Sequence, residues 1–135
     1  MDSTDSNLFS PNGDIQFSGT FKNGKPWSGI GKIYDQTNSN LHEGSISNGT
    51  PSGPNIKIYN SHNLTTYIGS MLSGLKTGHG ILYKDFSSNQ ILYTGAWQND
   101  TYHGQGTIYY DKTDNKKYVG SFIDGRYHGY GELYW

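Results

Sequence analysis

A short pattern of aromatic and glycine residues recurs along this chain, and no other feature limits its fold as strongly. Counting an aromatic residue as position 1, the segment Tyr93-Thr94-Gly95-Ala96-Trp97-Gln98-Asn99-Asp100-Thr101-Tyr102-His103-Gly104-Gln105-Gly106 has glycine at positions 3, 12 and 14. Tyr118-Val119-Gly120-Ser121-Phe122 continues to Gly129 and Gly131 in the same frame and adds Gly125. Tyr67-Ile68-Gly69-Ser70-Met71 does the same with Gly74, Gly78 and Gly80. Two earlier copies are worn. Phe17-Ser18-Gly19-Thr20-Phe21 carries one extra residue before Gly29-Ile30-Gly31, and His42-Glu43-Gly44-Ser45-Ile46 puts His42 where the ring belongs and Asn55 where the last glycine belongs. The copies start at residues 17, 42, 67, 93 and 118, a period of 25 or 26 residues, and fill 17–135.

Positions 1, 3 and 5 alternate, as do 12 to 18, which is the period-2 signature of two short strands. Asn23-Gly24, Asn48-Gly49 and Asp124-Gly125 fall between them, and such dipeptides suit a turn that needs positive φ. Each copy therefore reads as a β-hairpin. Polar joints such as Asp111–Lys117 reverse the chain but are too short for a helical crossover. The expected fold is all-β, an elongated antiparallel meander of stacked hairpins. Residues 1–16 are expected to be a tail or a capping half-hairpin, with a turn signal in Asn7–Asp14. By parity Tyr93, Gly95 and Trp97 share a face, as do Gly104, Gly106 and Ile108. If the two sets face the same way, Gly69, Gly78, Gly80, Gly95, Gly104, Gly106, Gly120, Gly129 and Gly131 make a bare floor on which rings of neighbouring copies lie flat. Each buried ring contributes roughly 1.5–3 kcal/mol, which helps to offset the entropy of ordering so glycine-rich a chain.

The frame Tyr-x-Gly-x-aromatic-x-x-Gly-x-x-x-Gly-x-Gly, with His103 and His128 just before the third glycine, closely resembles the MORN repeat. The resemblance implies a twisted sheet of stacked hairpins with an aromatic-lined groove. Such arrays occur in cytoskeletal, ciliary and membrane-associated scaffolds and are appended to some lipid kinases and lysine methyltransferases. It also implies pairing through C-terminal repeats. The joints here are slightly longer than usual for the family. A rival resemblance is to the aromatic hairpin repeats that bind choline or glucans on bacterial surfaces. Those carry adjacent Gly-Trp and Trp-Tyr-Tyr clusters, which only Tyr109-Tyr110 and Tyr134-Trp135 approach.

Composition narrows the functions. Ten Lys and Arg balance eleven Asp and Glu, for a net charge of -1, so no long-range field favours nucleic acid or an anionic bilayer. The 15% aromatic content argues against disorder. With no cysteine there is no disulfide framework and no thiol nucleophile. The acidic start Met1-Asp2-Ser3-Thr4-Asp5-Ser6 lacks the basic and apolar runs of a signal peptide. The expected setting is intracellular, cytoplasmic or associated with the cytoskeleton or a cilium, and the acceptor-like tripeptides at Asn48, Asn63 and Asn99 read as chance matches. None of the Gly-x-Gly pairs continues to a third glycine opening a helix, so phosphate binding is not indicated. His79, His103 and His128 recur once per unit, but units two strands apart hold them about 9–10 Å apart, too far to share a zinc ion. No metal or cofactor is expected. Asp85, Asp100, Asp111, Asp114 and Asp124 fall in turns and read as caps, and Ser45 near Glu43 and His42 lacks the context of a nucleophile. Lys112, Lys116 and Lys117 form the one basic cluster, read as a solvated loop with anionic headgroups as the alternative ligand.

The expected function is a non-catalytic scaffold that presents an aromatic groove to a helix or peptide of another protein. Tyr67, Met71, Tyr93, Trp97, Tyr118, Phe122, Tyr134 and Trp135 are the candidate contact residues. The alternative is a peripheral scaffold lying on membrane lipid. Gly131-Glu132-Leu133-Tyr134-Trp135 offers an apolar strand end, so a C-terminal homodimer or a stable hetero-complex is expected.

Overall fold

The computed structural model of the chain describes residues 3–9, 15–35, 40–84, 86, 89–111 and 113–135. The expected caps and loop charges at Asp85 and Lys112, and the turn signal within 10–14, lie outside the described residues. Among the described residues twelve strands build one open antiparallel sheet: β1 Ser3–Phe9, β2 Ile15–Lys22, β3 Lys25–Tyr34, β4 Leu41–Ser47, β5 Thr50–Pro51, β6 Gly53–Tyr59, β7 Thr65–Leu72, β8 Leu75–Tyr83, β9 Ile91–Gln98, β10 Thr101–Tyr109, β11 Lys116–Ile123 and β12 Arg126–Leu133. Neighbours in sequence are neighbours in the sheet, and only the short β5 leaves the path, pairing with β4. At ~4.8 Å per strand such a sheet runs for about 50 Å. The all-β meander read from the repeat is the observed fold.

Five two-residue turns close the hairpins, each with both residues at positive φ. They are Asn23-Gly24 (54° and 77°), Asn48-Gly49 (53° and 79°), Ser73-Gly74 (51° and 81°), Asn99-Asp100 (49° and 69°) and Asp124-Gly125 (50° and 82°). This is the type I′ geometry whose twist matches that of the flanking strands. The fourth turn uses no glycine, because Asn and Asp tolerate the left-handed region. At the strand ends opposite these turns the joints close by a recurring backbone bond. Asp35 N–H donates to Asn40 O at 2.8 Å, Asn60 to Leu64 at 2.9 Å, Lys84 to Gln90 at 2.9 Å and Tyr110 to Asn115 at 3.1 Å.

Register settles which residues share a face. Gly69 stands opposite Gly80, Gly80 opposite Gly95, Gly95 opposite Gly106, Gly106 opposite Gly120 and Gly120 opposite Gly131, so one row of glycine crosses six strands. In the two worn copies the row is reached differently from the frame expected. Gly29, not Gly31, faces Gly19, while Gly31 faces Gly44 on the other side, so the row steps by two residues within β3. In the second copy Ile56, not Asn55, stands on the row opposite Gly69. Asn55 instead takes φ 57° in an irregular stretch of the β6–β7 pairing, which absorbs the extra residue. Ile56 is fully buried, and its Cδ1 would lie 2.7 Å from a Cβ on Gly44. It sits over Gly44 as the position-1 tyrosines sit over Gly69, Gly95 and Gly120.

Candidate interaction surfaces

The repeated Tyr-x-Gly has a physical meaning here. The ring of Tyr93 folds back over its own hairpin, so that a Cβ on Gly106 would lie 2.6 Å from Tyr93 Cε1 and closer still to its hydroxyl. Tyr67 covers Gly69 and Gly80 in the same way, and Tyr118 covers Gly120 and Gly131. The floor expected from the sequence therefore exists, but each tyrosine uses the glycines of its own copy and not those of a neighbour. The hydroxyl explains why tyrosine is used: it donates to the carbonyl three residues on, Tyr67 to Ser70 at 2.9 Å, Tyr93 to Ala96 at 2.7 Å and Tyr118 to Ser121 at 3.1 Å. Gly78, Gly104 and Gly129 are not part of this floor. They hold left-handed backbone, φ 69°, 88° and 66°, beside irregular registers where β8, β10 and β12 rejoin their partners.

The position-5 ring joins one hairpin to the one before it. Phe122 meets Tyr93 of the preceding copy edge-on at 5.3 Å and Tyr102 at 5.7 Å, and its own Tyr118 and Tyr127 at 5.2 and 5.6 Å. Trp97 repeats the contact with Tyr67 at 5.5 Å and donates its indole N–H to Gly80 O at 3.1 Å. Position 10 completes each nest: Tyr102 stacks on Tyr93 at 3.9 Å and Tyr127 on Tyr118 at 4.0 Å. In the third copy Lys76 takes this place, with its ammonium 5.3 Å from the Tyr67 ring centre and 5.7 Å from that of Trp97. A backbone bond locks each joint, from the second turn residue to the carbonyl near position 10 of the preceding copy. Gly49 donates to Trp27, Gly74 to Pro51, Asp100 to Lys76 and Gly125 to Tyr102, at 2.8, 2.9, 3.0 and 3.0 Å.

Six of the eight candidate contact residues, Tyr67, Met71, Tyr93, Trp97, Tyr118 and Phe122, form this core, none more than 5% exposed, with Leu82, Tyr102 and Ile108 packed against them. Tyr134 is 38% exposed and Trp135 is fully exposed. The outer edge of β12 pairs with no further strand among the described residues, and all of its residues are exposed. There the Tyr118–Tyr127 nest has no following ring, and Ile123, Asp124, Arg126, Tyr127 and His128 line a cavity of about 460 Å³.

A larger cavity, about 720 Å³, lies at the first hairpin. Lys22, Asn23, Lys25, Pro26 and Trp27 line it from the turn end, with Asn48 and Gly49 of the next turn, and Leu8, Gln16, Lys32, Ile33 and Tyr34 line it from the opposite end. In a flat strand Lys25 and Tyr34 would be about 30 Å apart. One cavity is lined by residues near both ends of β3.

These nests, turns and glycine rows repeat a single unit, and the sequence profile of the MORN repeat matches residues 17–28, 67–87, 93–114 and 118–135. The chain belongs to the MORN-repeat family. The profile marks four segments where the sequence frame counted five, and the copy starting at His42 is the unmarked one. That copy nonetheless folds as a hairpin, with Ile56 in place of the lost ring. No curated protein matches the chain as a relative. MORN repeats are non-enzymatic modules that generally mediate protein or membrane-lipid interactions. Among the described residues no helix is long and apolar enough to cross a membrane, and no group of three His, Cys, Asp or Glu is placed to hold a metal ion.

Two polar features of the MORN array escaped sequence reasoning. Lys84 is 4% exposed, and its ammonium donates to Tyr110 O and, at 2.8 Å, to Thr113 O, pinning consecutive joints together. Nothing in its local sequence distinguishes it from a surface lysine. The second is the gathering of Lys22, Lys25 and Lys32, so Lys112, Lys116 and Lys117 are not the one basic cluster. The signal was present: residues flanking a two-residue turn stand opposite each other, and Lys22 and Lys25 flank Asn23-Gly24. Burial also sets the titration of the core. It pushes Tyr93 up to about 12, raises Tyr67 and Tyr102, and lowers His42, against which the charge of Asp35 acts in the raising direction.

Proposed function

We propose that this MORN array is a non-catalytic protein-binding scaffold that engages its partner by strand addition at β12, with a face of the sheet taking a helix or extended segment of the partner. The joint repeated between hairpins carries the reading. Inside the array every Tyr-based nest receives the position-5 ring of the next copy, and the carbonyl near position 10 receives a turn N–H. At Tyr118, Tyr127 and the cavity beside them the same parts are presented with nothing seated on them among the described residues. An exposed edge of this kind is a template for pairing, and a strand of a second copy or of a different protein fits it. An intracellular setting belongs to the same proposal. Sedimentation of the purified chain across a concentration series, beside capture of stoichiometric partners on the tagged chain, tests it. Tyr127→Lys, and Tyr134→Lys with Trp135→Lys, should abolish the association while leaving the fold intact. A chain that stays monomeric at high micromolar concentration and retains no stoichiometric partner overturns it.

A further inference from the structure

Among the described residues the cavity of the first hairpin gathers charge of a single sign. Its lining among the described residues holds Lys22, Lys25 and Lys32 and no carboxylate. Lys22 and Lys25 stand directly opposite each other as the last pair before the turn. In the other four hairpins that pair is Ser47 and Thr50, Leu72 and Leu75, Gln98 and Thr101, or Ile123 and Arg126. Like charges directly opposite destabilise a sheet, so the first hairpin carries a cost that the others avoid. Among the described residues the ion pair present is Lys76 with Asp100, and it leaves these three lysines without a carboxylate. Lys22 instead lies 4.5 Å over the Trp27 ring centre. Leu8, Pro26, Trp27, Ile33 and Tyr34 supply apolar walls in the same cavity. A local arrangement that lowers stability and concentrates unpaired charge around apolar walls is what a binding site for an anionic, partly apolar ligand requires.

We infer that this cleft holds an acidic segment of a partner protein, with carboxylates on Lys22, Lys25 and Lys32 and apolar side chains against Trp27 and Ile33. The inference rests on the reading of the array as a protein-binding scaffold and names the partner's chemistry at a second place on it. The cavity favours a polypeptide over a bilayer: a chain segment enters a space of about 720 Å³, whereas a flat lipid surface meets only its rim.

The test uses the full chain and fluorescence anisotropy of a labelled synthetic peptide in which glutamate alternates with leucine and phenylalanine. The comparison probes are the same peptide with glutamine for glutamate, and vesicles of phosphatidylcholine with phosphatidylserine. The acidic peptide should bind, more weakly as salt rises. Lys22→Gln with Lys25→Gln should weaken it about tenfold or more, while the melting temperature stays level or rises because the opposed charges are gone. Lys116→Gln with Lys117→Gln should leave binding unchanged. Equal affinity for the glutamine peptide, or insensitivity to Lys22→Gln with Lys25→Gln, overturns the acidic assignment and leaves the scaffold reading standing on the β12 experiments. Vesicle binding lost in Lys22→Gln with Lys25→Gln, without binding of the acidic peptide, overturns it in favour of lipid.

Discussion

Replacing Gly106 by alanine isolates the contact on which the repeat depends. Gly106 has ordinary backbone, so the substitution adds no conformational strain, and its new methyl would lie 2.5 Å from Tyr93 Cζ and 2.6 Å from Cε1. The backbone under the ring is held by the ladders to β9 and β11, so the ring must leave its seat. Expelling it forfeits roughly 1.5–3 kcal/mol of burial and about 1 kcal/mol for the hydroxyl bond to Ala96. Edge-on contacts with Trp97 and Phe122 contribute roughly 0.5–1.5 kcal/mol more. Alanine restricts the unfolded chain and returns about 0.4–1 kcal/mol. The expected net loss is about 3 kcal/mol, or about 10 °C in melting temperature for a domain of this size. Gly125→Ala is the counterpart: φ is 82° and no atom lies within 4 Å of the new methyl, so only about 1–2 kcal/mol of backbone strain is expected. Urea unfolding followed by tryptophan fluorescence measures both, and a Tyr93→Ala background completes a double-mutant cycle. In that background Gly106→Ala should cost nothing. Parent-like stability of Gly106→Ala, or strict additivity with Tyr93→Ala, refutes the seat.

Other outcomes follow from the same contacts. Tyr93→Phe keeps the ring and orphans the Ala96 carbonyl, so it should cost about 1–2 kcal/mol by urea unfolding. Lys84→Met keeps the stem and removes the ammonium from two carbonyls, leaving Tyr110 O only a 3.5 Å bond from Thr113 N–H, for a loss of about 1–3 kcal/mol, with hydrogen exchange rising in the joints around Tyr110. Ser73→Asn at φ 51° should stabilise by about 0.5 kcal/mol, read as a higher melting temperature, since asparagine tolerates the left-handed region better than serine. The pH profile of stability should fall on both sides. Above pH 10 the unfolded tyrosines lose protons that buried Tyr93 retains to about 12, so stability declines across that interval. Below pH 6.5 the unfolded state protonates before His42, whose folded value is lowered, so stability also declines as acid is added, and His42→Gln should flatten that limb alone.

The sequence by itself determined the repeated unit. Tyr-x-Gly-x-aromatic followed by a turn dipeptide and returning glycines admits one local solution, a type I′ hairpin with its rings on one face, because turn chemistry and side-chain alternation are properties of adjacent residues. The same locality fixed the meander, since joints of this length only reverse the chain. What the pattern left open was settled between copies. The repeat placed Tyr93 and Gly106 in one hairpin, but only register put them on the same face and made the ring cover its own glycines. In the worn copies the frame pointed to Asn55 and Gly31, and strand pairing chose Ile56 and Gly29, because an irregular stretch absorbs an extra residue without losing the ladder. The rings expected to meet a partner are buried against one another, since the tertiary joint consumes the apolar surface that a lone hairpin would expose. The opposed Lys22 and Lys25 were legible from the turn they flank, whereas the two carbonyls on Lys84 and the company of Lys32 became visible only in three dimensions. A charge takes its meaning from what lies across the strand or the next joint, and that neighbour is some distance away in the sequence.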